Sequence, residues 1–218
     1  MCYNIGMLTY TDICLNIERF EATCARYGAT LTLATKTIPR EVLTEVHRDF
    51  PSIVFGENRV QELVEKYFAE AKWHFIGRLQ RNKVKYLVDK VEMICSVDSV
   101  PLAIEIERQA AKIGKTMDVL IEINLGEVQK GGVGEAEQDA LVTTILGCPH
   151  LHLKGLMAVL PQVGAEAAAK QAKRRFDALA QKVPVEVLSM GMSGDYELSL
   201  AAGSTMIRLG SAVFGKRS

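Results

Sequence analysis

Eight short β-prone runs begin near Leu31, Ile53, Trp73, Val91, Val119, Leu151, Val185 and Met206, and stretches of helical character separate them. Strict strand–helix alternation restricts the chain to an α/β architecture with a parallel sheet, either a closed barrel or a doubly wound open sheet. The intervening stretches carry apolar stripes at helical spacing. Val60, Leu63, Val64, Tyr67 and Phe68 form one; Leu102, Ile106, Ala110 and Ile113 a second; Ala172, Phe176, Leu179 and Val183 a third. The alanine-rich piece from Ala165 to Ala172 has the composition of a helix start. Ahead of the first strand, Ile13, Ile17, Phe20 and Cys24 predict one extra N-terminal helix.

Two features favour closure. After the opening helix, about 190 residues divide into eight units of about 24, the length of a short βα repeat in a TIM barrel. The strands also sort their side chains by parity. Thr32, Ala34 and Lys36 lie opposite Leu31 and Leu33; Leu120, Glu122 and Asn124 lie opposite Val119, Ile121 and Ile123; Met206 and Arg208 lie opposite Ile207 and Leu209. Small or polar residues facing a barrel interior, with larger apolar ones facing helices, produce this pattern. The expected fold is a single (β/α)8 TIM barrel over residues 1–218, with the extra helix in front. Its functional groups belong at the C-terminal ends of the strands.

A chain of 218 residues buries roughly 70% of its unfolded surface, so neither disulfides nor a structural metal is needed. Lys and Arg total 26 and Asp and Glu total 26, which removes the basic footprint that nucleic-acid binding requires. Cys2, Cys14, Cys24, Cys95 and Cys148 are scattered and form no CxxC pair, as in a reducing compartment. The N-terminus lacks the basic start and apolar run of a signal peptide, and no stretch approaches the roughly 18 apolar residues of a membrane span. A cytoplasmic location is expected. No exposed apolar repeat argues against a monomer.

Lys36 ends a strand just before Pro39, which suits the first turn of a helix through Val42, Val46 and Phe50. A lysine against apolar wall loses its preference for the charged form, and its free amine can attack a carbonyl to form a Schiff base. A solvated strand-end lysine is the plainer alternative. From Ser189 to Arg217, glycines and hydroxyls crowd the ends of the last two strands. Backbone amides after Ser193 and Gly210 would suit a phosphate, although glycines also simply make turns.

Other signals are weak. Gly114, Lys115 and Thr116 resemble the end of a P-loop, but Gln109 holds the required first glycine position. The run Gly131 to Gly134 lacks dinucleotide-binding spacing. His150 and His152 have no cysteine or carboxylate at ligand spacing beside them, so no metal site is expected. Lys170, Lys173, Arg174 and Arg175 read as a solvated helix face. Trp73 and Phe75 are expected to pack against helices.

The segments ATKTIP, FGENRVQE, WHFIGRLQRNK, INLGEVQKGG, KGLM and SMGMSGDYELSLAAGSTMIRLGSAVFG follow one another in order. Together they resemble the pyridoxal phosphate homeostasis protein family, from about residue 31 to the C-terminus. This chain departs at Thr35, where the family more often has serine, and at Leu200 and Leu209, where it has isoleucine. The resemblance implies a barrel similar to the N-terminal domain of alanine racemase, with pyridoxal 5′-phosphate as a Schiff base on Lys36. It also implies that Ser193 and the backbone around Gly210 and Ser211 hold the phosphate. Arg208 would face the pyridine nitrogen, and Asn58, His74 and Met190 would line the pocket.

An arginine at that nitrogen disfavours its protonation and makes the cofactor a weak electron sink. Related racemases add a second domain carrying an acid or base, which this chain has no residues left to build. The expected role is therefore a carrier of the cofactor in vitamin B6 and amino-acid homeostasis, without turnover, meeting cofactor-requiring apoenzymes transiently. The alternatives are an amino-acid racemase, a Schiff-base aldolase using Lys36, and a protein-interaction module.

Overall fold

The computed structural model describes residues 8–126 and 131–215. Cys2 and the last three residues of the chain lie outside them. Helix α1 (Tyr10–Arg26) opens on a capping box: the Thr9 hydroxyl accepts from Asp12 N, and the Asp12 carboxylate accepts from Thr9 N at 2.8 Å. Its buried residues are the four that the periodicity selects, Ile13, Ile17, Phe20 and Cys24.

The strands are β1 (Thr30–Ala34), β2 (Val54–Glu57), β3 (Lys72–Phe75), β4 (Met93–Val97), β5 (Met117–Ile123), β6 (Leu151–Ala158), β7 (Val187–Ser189) and β8 (Met206–Leu209). Each pairs in parallel with the next, and β8 returns to β1, so the sheet closes into a barrel. The helices between them are α2 (Arg40–Asp49), α3 (Val60–Lys66), α4 (Val100–Lys112), α5 (Glu135–Leu146), α6 (Ala165–Ala180) and α7 (Tyr196–Ala201), with α8 (Ser211–Phe214) after β8. Between β3 and β4 the connection is a 3-10 helix, Arg81–Tyr86.

Three local expectations need correction. Helix α3 stops at Lys66, before Tyr67 and Phe68, and Val64 faces solvent. Pro39 caps α2 from outside rather than sitting in its first turn, where its missing N–H costs nothing either way. Arg175 is buried: its guanidinium donates to Gln138 Oε1, Asn124 O, Val133 O and Gly134 O. Only its neighbours Lys170, Lys173 and Arg174 are the solvated, ion-paired face. A fully hydrogen-bonded arginine can be buried where an unpaired one cannot.

The side chains divide into two cores. Ile76, Met93, Cys95, Leu120 and Met157, with Ala34 and Val187 beside them, fill the barrel interior. Leu31, Leu33, Val119, Ile121, Ile123, Ile207 and Leu209 belong to the larger layer between barrel and helices, as do Trp73 and Phe75. The parity of β1, β5 and β8 thus has the sense read from the sequence. In β6 the parity changes midway: Leu151 and Leu153 face the helices, and so do Leu156 and Ala158. The cause is a bulge, where Val119 pairs with Leu153 but Leu120 with Gly155. Gly155 has φ 149°, and a Cβ there would lie 1.9 Å from Val187 O, so only glycine fits.

No helix among the described residues is long and apolar enough to cross a membrane.

Candidate cofactor site

A cavity of about 800 Å³ opens at the C-terminal ends of the strands. Lys36, half-buried, enters it from the β1–α2 loop. The backbone around Lys36 is tightly held. Thr35 N donates to Gly56 O at 2.9 Å, and the Thr35 hydroxyl donates to Glu57 Oε2 at 2.8 Å. Asn58 reaches the same wall from the β2–α3 loop, its N–H donating to Glu57 Oε1 at 2.7 Å. Gly77 lets the neighbouring loop close over it, since a Cβ there would stand 2.0 Å from Asn58 O.

Arg208 comes from the inner face of β8 and is 5% exposed. Its Nη1 donates to Ser189 Oγ at 2.6 Å and its Nη2 to Ala158 O at 2.9 Å, which fixes the guanidinium plane against the cavity. Burial pulls its pKa below the usual range, opposed by Cys95, Glu122 and Asp195. The same burial pushes the Cys95 thiol up to about 12, so it stays protonated.

At the rim beside Arg208, Ser193 Oγ accepts from Ala212 N at 3.1 Å and joins the loops after β7 and β8. The N–H groups of Ser193, Gly194, Gly210 and Ser211 find no acceptor among the described residues. All four residues line the cavity. Backbone donors left unsatisfied at a concave surface make a cradle for an anion. With one amine lining the same cavity, the donor set fits a small phosphorylated aldehyde.

Of the residues singled out from the sequence, Lys36, Asn58, Ser193, Arg208, Gly210 and Ser211 line this cavity. His74 and Met190 do not. Met190 is fully buried in the outer layer, because the residue after Ser189 faces the helices. Met192, two residues on, takes the position at the rim. His74 lies on the inner side of β3, opposite Trp73 and Phe75, and its Nδ1 has no partner among the described residues.

Burial, aided by the Lys72 charge, lowers the His74 pKa to about 4. The folded value lies below that of the unfolded chain, so His74 contributes stability that is complete above about pH 6.5 and is lost as pH falls through about 4. The shift corresponds to about 3 kcal/mol. Urea unfolding between pH 7 and pH 4 should therefore show a flatter pH dependence in His74→Leu than in wild type. An equal slope in both would remove His74 as a source of acid sensitivity.

Sequence reasoning gave no role to Arg59 and Arg78, which also line the cavity, or to the buried Lys66. Glu57, Arg59 and Glu62 do stand within FGENRVQE, and Glu62 precedes Lys66 by one helical turn. That spacing was the available signal. His150 and His152 each pair with a separate carboxylate, Glu107 and Asp118. No three His, Cys, Asp or Glu side chains converge as a metal site among the described residues.

Residues 16–218 match the family model of the alanine racemase N-terminal domain. A protein of Aquifex aeolicus named pyridoxal phosphate homeostasis protein is 40% identical over 217 residues, covering 92% of this chain and 95% of the relative. The protein of that name from Escherichia coli K12 is 37% identical, covering 92% and 93%. PipY of Synechococcus elongatus, solved with pyridoxal phosphate bound, superposes with a TM-score of 0.79 at 30% identity, covering 86% of this chain and 93% of PipY.

Proposed function

Because the chain belongs to the pyridoxal phosphate homeostasis protein family, we propose that it carries pyridoxal 5′-phosphate covalently on Lys36 and acts in vitamin B6 and amino-acid homeostasis. The observation that supports this reading is the one cavity shared by the Lys36 amine, the Arg208 guanidinium and four backbone N–H groups that find no acceptor among the described residues. When bound, the cofactor supplies an aldehyde that condenses with amines and a ring that accepts electrons.

The chain's own groups divide the work of binding. Ser193, Gly194, Gly210 and Ser211 would offer N–H donors to the phosphate from two loops that the Ser193 hydroxyl fastens together. Arg208, oriented by Ser189 and Ala158, would present a permanent cation to the pyridine nitrogen and disfavour its protonation. Asn58 would border the ring, whereas His74 and Met190 do not line the cavity. A cation at the ring nitrogen suits retention of the cofactor better than carbanion chemistry. We therefore read the protein as a carrier, one domain acting as a cytoplasmic monomer that meets apoenzymes transiently.

The test is the visible absorption spectrum of the purified protein with added pyridoxal phosphate, followed by borohydride and peptide mapping. Schiff-base formation expels the aldehyde oxygen as water, and borohydride then reduces the C=N bond to a stable secondary amine. A yellow protein with the reduced label on Lys36 is expected. A protein that stays colourless would overturn the reading and favour an aldolase acting on a sugar phosphate.

A further inference from the structure

Beneath the loop that carries Lys36 lies a buried ionic cluster. Lys66, at the end of α3 and 8% exposed, directs its ammonium at three acceptors: Thr35 O at 2.9 Å, Glu57 Oε2 at 3.0 Å and Glu62 Oε2 at 2.6 Å. The Glu62 carboxylate also accepts from Thr37 N at 2.8 Å. Its burial would raise its pKa, but the bonds from Lys66 and Thr37 outweigh that and hold it below the usual range. Glu57, fully buried, accepts from the Thr35 hydroxyl, Asn58 N and Arg59 N.

The destinations of these bonds decide what the cluster does. A bridge serving only to dock α3 would need no contact with the mouth. Here its bonds outside the cluster end on residues directly before and after Lys36, or on the loop of Asn58. Thr37 has φ 65°, a left-handed conformation that a β-branched residue rarely adopts. The Glu62 carboxylate is the acceptor that meets its N–H in that conformation.

We infer that Lys66, Glu57 and Glu62 are positioning residues that clamp the backbone on both sides of Lys36 and so set how its amine is presented to the cavity. The inference rests on the reading of Lys36 as the attachment point. Removing the clamp leaves the amine and the phosphate cradle in place but lets the loop turn, and a small misplacement of a reacting group is costly in rate.

The test uses Glu62→Leu, which loses the acceptor and the charge, and Glu62→Gln, which keeps an acceptor for Thr37 N–H. Two quantities are read: hydrogen exchange of the Thr37 amide in the cofactor-free protein, and the rate at which borohydride-trapped pyridoxal phosphate accumulates on Lys36. Glu62→Leu should expose the Thr37 amide and slow attachment by roughly tenfold, with Glu62→Gln between it and wild type. Should Glu62→Leu not fold, Glu62→Gln decides alone. Attachment at the wild-type rate, or a loss explained wholly by the unfolded fraction, overturns the positioning role and leaves the cofactor reading intact. Absence of label in wild type overturns the cofactor reading itself, and this inference with it.

Discussion

Lys36→Ala should abolish covalent attachment of pyridoxal phosphate while leaving the protein folded. The variant should show neither the yellow band nor a borohydride-stable label at any position of the peptide map. Stability should change by no more than about 0.5 kcal/mol, the usual range for a side chain outside the core. The reason lies in where the loop's order comes from: Thr35 and Thr37 are held by Gly56, Glu57, Lys66 and Glu62, and Lys36 makes no hydrogen bond among the described residues. Reversible binding should survive at reduced affinity, because the proposed phosphate donors are backbone N–H groups that the substitution does not touch. Equilibrium dialysis separates that residual binding from covalent loss. A label that persists at another lysine would show that Lys36 is not the attachment point, and a Lys36→Ala protein that unfolds would show that its side chain is structural.

Lys66→Met should have the largest effect on stability, a loss of about 3–5 kcal/mol. Methionine replaces the aliphatic stem of lysine but leaves the fully buried Glu57 carboxylate without its cation. The remaining Thr35 hydroxyl and two backbone N–H groups solvate that charge only in part. Against a total stability of about 5–15 kcal/mol, this moves the urea midpoint far enough to read directly. A loss below about 1 kcal/mol would mean that the desolvation of this ion pair nearly cancels its attraction. Lys66→Met is therefore a poor probe of positioning and a good one of the buried charge. The milder Glu62 variants serve the former purpose.

The strands and their inward faces were legible because each signal is local. In β1, β5 and β8, alternation at period two appears in consecutive residues, and Lys36 and Arg208 can be placed inside the barrel by counting. The α1 stripe is legible for the same reason. Counting fails at β6, where the bulge at Lys154 and Gly155 reverses the parity, and a lone glycine between a lysine and a leucine does not announce it. It fails again after β7, where Met190 turns outward and Met192 takes the rim. Arg175 reads as solvated because its run of basic neighbours is solvated; its four acceptors come from α5 and the loop before it, 37 to 51 residues away.

The sequence by itself determined the alternation of strand and helix, closure of the barrel, the opening helix and a cavity at the C-terminal strand ends. These follow from periodicities and from the positional habits of glycine, proline and charged residues, all expressed within a few consecutive positions. Only the tertiary structure decided which backbone N–H groups remain unsatisfied at the mouth among the described residues, that His74 Nδ1 is enclosed without a partner among them, and that Lys66 with two carboxylates grips the chain around Lys36. A hydrogen bond is satisfied or left open by groups that the fold brings together from distant segments. Barrel closure makes those groups neighbours, and no window along the chain contains them both.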